Sequence, residues 1–291
     1  MAYATIKYEV KDRICTITLN RPEKLNSYTP QMAADINAAL DVANRDDNIR
    51  AVIFTGAANT KIPAFCAGSD LSEGNPFNFS ETDFFTMRDT GGTNALSLYK
   101  MRKPVIAAIN GAAVGIGATL PLSMDIRVMS ETAKMGFVFV RRGFVNEACS
   151  SWYLSKIVGL AKAMEWVLSG RLIKADEAYR CGLVNDVVAP ERVYERAVEI
   201  AAEIRDNAAP VSVALCRQMI YQMAGTRHPM TAHKIESACY YHIGQLSDAE
   251  EGANSFLEKR PPAFKNSVFN DMPAVYPWFD EPEFPKNIQS V

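Results

Sequence analysis

Histidine is scarce in this sequence: His228, His233 and His242 are the whole complement of 291 residues. His233 and His242 are badly spaced for one helix face, and no carboxylate spacing completes a ligand set, which argues against a metal centre. The six cysteines (Cys15, Cys66, Cys149, Cys181, Cys216 and Cys239) are scattered without a CxxC pair. That suits reduced thiols in a cytosolic compartment better than a disulfide frame. No stretch approaches the roughly 18 uninterrupted apolar residues of a membrane span. A net charge of −2 provides no global attraction for nucleic acid or an anionic membrane, so any polyanionic ligand must be met by local basic residues. The opening MAYATIKYEV has no apolar signal-peptide stretch, and the closing Gln289-Ser290-Val291 matches no peroxisomal address, so cytoplasm is the expected location.

What is present is ordinary for a globular protein: 48% hydrophobic and 22% charged residues. Residues 5–19 alternate like a strand pair turning at Lys11-Asp12-Arg13. A helical pattern opens at Pro30 and runs through Ala43, and residues 51–56 read as a buried strand ended by glycine. A helix before Lys103 leads to a second buried strand, 104–109. A small-residue helix over Gly115 to Met124 and a strand over 125–129 follow. Strands alternating with helices imply an α/β fold with right-handed crossovers. From about Pro190 the pattern is almost wholly helical and ends in a Pro- and aromatic-rich tail, residues 261–285.

Two segments have the residue types of backbone chemistry. In Ala64-Phe65-Cys66-Ala67-Gly68-Ser69-Asp70-Leu71, small residues let main-chain N–H groups approach a ligand. In Asn110-Gly111-Ala112-Ala113-Val114-Gly115-Ile116-Gly117-Ala118-Thr119, glycines sit where a strand hands over to a helix with free N–H donors. Two such donors converging on a thioester oxygen would stabilise an enolate. Gly115-Ile116-Gly117 lacks the later glycine of a dinucleotide fingerprint.

With these segments stand NRPEKLNS at 20–27, KPVIAAINGAAVGIGATLPLSMDIRV at 103–128, LSGRLIKADEAYRCGLVNDVV at 168–188 and FLEKRPPAF at 256–264. Over nearly its whole length the chain resembles the crotonase (enoyl-CoA hydratase/isomerase) superfamily. The resemblance implies an α/β fold with a ββα spiral core, residues 1–200, and a helical C-terminal oligomerisation module, residues 201–291. It implies an acyl-CoA thioester substrate, no cofactor beyond the CoA of that substrate, and a homotrimer or hexamer. The implied oxyanion donors are the N–H groups of Ser69 and Ile116, flanked by Gly115 and Gly117. Lys24 and the turn Ala67, Gly68, Ser69, Asp70, Leu71 would line the CoA path, and Phe256 and Lys259 would reach the CoA of a neighbouring subunit.

Carboxylates select the reaction on this scaffold. The two glutamates of a typical enoyl-CoA hydratase fall at Thr119 and Phe139, neither of which can activate water. A carboxylate appears instead in GFVNEACSSW at 143–152, which resembles the Pro-Glu-Gly-Cys-Ser-Ser setting of peroxisomal-type Δ3,Δ2-enoyl-CoA isomerases. Carried over, Glu147 is the single base that moves a proton from C2 to C4. Hydration, decarboxylation, thioester hydrolysis using Cys149, and a silent acyl-CoA-binding role are the alternatives. Met87, Phe84, Phe85, Phe137, Phe139 and Trp152 suggest an apolar acyl pocket.

Overall fold

Asp12 and Arg13, at φ 48° and 62°, turn the chain between β1 (Ile6–Lys11) and β2 (Ile14–Leu19) as a two-residue hairpin. The computed structural model describes residues 3–58, 62–72, 82–83 and 85–285. From β2 onward the first sheet is parallel, through β3 (Ala51–Gly56), β5 (Val105–Ile109), β7 (Ile126–Ser130) and β10 (Asp186–Val188). Its order is β1-β2-β3-β5-β7-β10. β3 and β5 are buried throughout, as parallel strands covered on both faces must be.

A second, four-stranded sheet lies beside it: β4 (Ala64–Cys66), β6 (Ala112–Val114), β8 (Lys134–Gly136) and β9 (Leu172–Lys174). Three times the chain lays a strand in the first sheet and the next in the second. That interleaving, with helices between the turns, is the expected ββα spiral. Helix α1 (Pro30–Arg45) starts on a Thr29 cap, whose side chain accepts from Met32 N–H, and buries Met32, Ile36, Ala39 and Leu40. α2 (Thr90–Tyr99) packs on α1 and leads into β5.

The helix expected over Gly115 to Met124 is interrupted. α3 spans Ile116–Thr119 and tightens into a 3₁₀ turn, Leu120–Ser123, where Pro121 cannot donate to an α-helical ladder. α4 (Ser150–Val158), α5 (Leu160–Ser169) and α6 (Ala175–Arg180) follow. α7 (Val193–Asn207) lays Val193, Ala197 and Ala201 on Ile53, Ile106 and Val128 of the first sheet. Residue 200 therefore falls inside a helix that belongs with the sheet.

α8 (Pro210–Met223), α9 (Pro229–Ile243) and α10 (Ser247–Glu258) form the helical C-terminal region. Buried Arg217 of α8 docks it: the guanidinium donates to the carbonyls of Leu98, Tyr99 and Met101 and pairs with Asp125 at 2.8 Å. The tail runs back over this region. Trp278 and Met272 pack with Val211, Leu215 and Cys239, and Phe284 lies under the Arg88 guanidinium at 4.1 Å. Two of the histidines serve local structure: His228 caps α9 through Nδ1, and His242 Nε2 bonds the Asp271 carbonyl. No helix among the described residues is long and apolar enough to cross a membrane.

Candidate active site

Parallel pairing of β4 with β6 brings the loops after them side by side. Gly68 and Gly115 take φ +102° and +57°, and a Cβ on Gly115 would lie 3.7 Å from the Gly68 Cα. At Gly117 a Cβ would fall 2.0 Å from the Cys66 carbonyl oxygen, so the strand-to-helix turn seats directly on β4. Tyr28 forms a single parallel bridge across Ser69: its N–H donates to the Gly68 carbonyl at 2.8 Å, and Asp70 N–H donates to the Tyr28 carbonyl at 2.9 Å. Ser69 faces its own N–H the other way, and no acceptor among the described residues takes it. Ala118 and Thr119 close onto the Gly115 carbonyl, while Ile116 opens α3 with its N–H outside those turn bonds.

Glu147 reaches this pair of loops from the turn before α4. Thr119 Oγ1 donates to its Oε1. The other oxygen faces α2: a Cβ on Gly91 would fall 2.0 Å from Glu147 Oε2 and 2.6 Å from Ile116 Cδ1. The carboxyl and the Ile116 side chain thus share the space left by a missing side chain. Burial, the neighbouring Asp89 charge and the hydrogen bond the protonated acid makes to Asp89 raise the Glu147 pKa to about 8, against the pull of the Thr119 hydroxyl.

Asp89 was not visible as a site residue in the sequence. It caps α2, accepting from Gly91 N–H at 3.0 Å and Gly92 N–H at 2.9 Å, and it accepts from Ala148 N–H at 2.7 Å. An Asp N-cap signal is present, but two glycines follow it, which disfavour a helix start by about 1 kcal/mol each. Nothing local announces a bond to a residue 59 positions away.

The enoyl-CoA hydratase/isomerase family model matches residues 9–267. The chain belongs to this family. It is 41% identical over 258 residues to an enoyl-CoA hydratase of Alternaria alternata, covering 88% of this chain and 84% of that one. It is 34% identical over 257 residues to the 1,2-epoxyphenylacetyl-CoA isomerase of Escherichia coli, covering 88% and 96%. The crystal structure of an enoyl-CoA hydratase from Bacillus anthracis superposes with a TM-score of 0.82 at 31% identity, covering 90% of this chain and 99% of that one.

Within this hydratase/isomerase scaffold the remaining expected residues divide. The segment around Lys24 lies along the 67–70 turn, with Ala67 N–H donating to the Leu25 carbonyl, and Lys24 itself is exposed. Asp70 is bound by Ser72 and by Arg21 at 2.6 Å, which hold its carboxyl below the usual range; Leu71 is exposed beside it. Phe256 and Lys259 end α10 in solvent, Phe256 at 82% exposure, and none of their described contacts reaches Ser69, Ile116 or Glu147.

The aromatic residues do not form one wall. Phe137 is buried and stacks on Trp166, Trp152 packs edge-on to Tyr99 and Tyr153, and Phe139 is half-buried against the main core. Phe85 and Met87 are half-buried, and Phe84 lies outside the described residues. Burial, Asp89 and Glu147 all push the Cys149 thiol up, opposite to what an activated nucleophile needs. A methyl at Gly91 tests the crowding. Gly91→Ala should displace the Glu147 carboxyl and cut turnover at least about tenfold with the fold intact, since only a side-chain end must move; an unchanged kcat in a folded variant would contradict the geometry.

Proposed function

We propose that this family member isomerises a Δ3-enoyl-CoA to the Δ2 form, with Glu147 as its single base. The N–H groups of Ser69 and Ile116 would receive the thioester oxygen as negative charge moves onto it. Glu147 takes the C2 proton, the dienolate delocalises to C4, and the same carboxyl returns the proton there. One observation supports this most directly: a half-buried carboxyl with a pKa raised to about 8 adjoins the Ile116 side chain, with only a hydroxyl and a phenyl ring at the other two expected positions. A group of this kind is suited to moving a proton both ways.

Hydration would need a second group to hold water. Asp89 is near, but it is already engaged on every side: it accepts from the N–H groups of Gly91, Gly92 and Ala148 and from the protonated Glu147 carboxyl. That favours isomerisation, although the Alternaria relative carries the name of a hydratase. No cofactor is invoked beyond the CoA of the substrate. Exposed Tyr240, Tyr241, Phe256 and Leu257 offer apolar surface for the trimeric or hexameric packing that would bring Phe256 and Lys259 to a neighbour's CoA.

The direct test offers the protein cis-3-enoyl-CoA and trans-2-enoyl-CoA and identifies the products by mass and absorbance. Rapid conversion of the first with slow hydration of the second is expected; the reverse would replace this reading with hydration. The base must be ionised to act and its pKa is raised to about 8, so kcat/KM should climb about tenfold per pH unit below that value and level above it. A profile flat from about pH 6 to about pH 9, a range that spans that value, would remove Glu147 from the proton transfer.

A further inference from the structure

Glu147 is presented by an unusual turn. Ala148 and Cys149 stand at φ 54° and 53°, consecutive non-glycine residues in the left-handed region. Two other such pairs occur among the described residues, Asp12-Arg13 and Leu25-Asn26, and each contains an Asp or Asn. Those types tolerate this region because a short polar side chain can bond locally; alanine and cysteine have no such compensation. The turn closes on itself where Ser150 N–H donates to the Glu147 carbonyl at 3.0 Å, and a contact from outside is needed to offset the cost of the two left-handed residues.

The outside contact comes from Asp89, which accepts the Ala148 N–H at 2.7 Å while its oxygens also take Gly91 and Gly92 of α2. Ala148 is completely buried, so this bond is shielded from water. A single carboxylate therefore joins the start of α2 to the turn that carries the base. Gly91, two residues on, leaves the space the base occupies.

We propose that Asp89 is a positioning residue for the base: it pins the left-handed turn behind Glu147 and sets a fixed negative charge beside the Glu147 carboxyl. The proposal rests on the reading of Glu147 as the base, and it extends that reading to a residue that acts through the base carboxyl rather than on the substrate.

The groups facing Glu147 single out this charge. Thr119 offers a hydroxyl from α3. Tyr28, Cys66 and Cys149 interact with it electrostatically, but burial raises the pKa of each, Cys66 to about 12, so they are neutral in the working range. Arg88 is the nearby cation, and it acts on Cys149. Asp89 is the anion that acts on Glu147. Its removal should ease ionisation of the base and at the same time loosen the turn.

The two effects separate in Asp89→Asn and Asp89→Ser. Asparagine keeps the shape, and serine keeps an α2 cap without charge. Titration of the Glu147 carboxyl by carbon NMR, its signal assigned by disappearance in Glu147→Gln, should give a midpoint at least one pH unit lower in both variants. The acidic limb of kcat/KM for cis-3-enoyl-CoA should move down with it, raising the rate at pH 6 relative to the plateau about tenfold, while the plateau itself falls as the turn loosens. A merely structural residue would lower the plateau and leave the limb in place. An unmoved Glu147 midpoint in a folded variant overturns the proposal. If Glu147→Gln kept full activity, the reading of the base would fail, while the NMR midpoints would still report whether Asp89 acts on that carboxyl.

Discussion

Replacing Glu147 with glutamine should lower isomerisation by at least ~10²-fold, the lower end for loss of a positioned general base. The substitution is unusually clean here because glutamine reproduces the protonated acid. Its carbonyl oxygen can still accept from Thr119 Oγ1, and its amide can still donate toward Asp89, the two partners that Glu147 has now. Fold and CoA affinity should therefore be retained, and only the capacity to take a proton is lost. The measurement is kcat on cis-3-enoyl-CoA, with thermal unfolding and CoA binding as controls. A Glu147→Gln protein that turns over at the wild-type rate, or that hydrates trans-2-enoyl-CoA rapidly and unchanged, would leave only the family membership standing.

Ser69→Pro should cost about 10²–10³-fold in kcat with little change in affinity, because it deletes one donor of the proposed oxyanion pair. Proline is usually a poor probe of a loop, since it also breaks a structural hydrogen bond. At Ser69 that objection is weak: no acceptor in the described residues uses this N–H, and the bridge across Tyr28 is made by Gly68 and Asp70. The preceding residue is Gly68, which tolerates the restriction a following proline imposes. Circular dichroism and the melting transition report whether the loop survives. Normal turnover by a folded variant would show that the thioester oxygen is held elsewhere.

Much of this architecture is readable from sequence because the centre of its first sheet is built of buried, mostly apolar parallel strands. Ala51–Gly56 and Val105–Ile109 show themselves as buried runs, and Thr29-Pro30 marks the start of α1. The second sheet is different in kind. β4, β6, β8 and β9 have three residues each, too few for any alternation to appear, and they exist because the first sheet presents them to one another. The glycine loops signalled backbone chemistry since close approach demands small residues, as the 2.0 Å clash at Gly117 shows. Glu147 was legible only through its motif. Asp89, Gly91 and the packing of Tyr28 against Ser69 were not, because each depends on contacts between segments far apart in the chain.

That interleaving also governs the order in which the molecule can assemble. A hairpin such as β1-β2 closes on itself, but β4 finds its partner only after the chain has passed through α2 and β5 to reach β6. Ser69, Asp89, Ile116 and Glu147 are brought together by such distant pairings, and loop closure of that span carries its entropic cost before any contact repays it. Residues placed in this way are expected to meet late in folding. Until both sheets have paired, the chain can hold helices and strands without the proposed oxyanion pair.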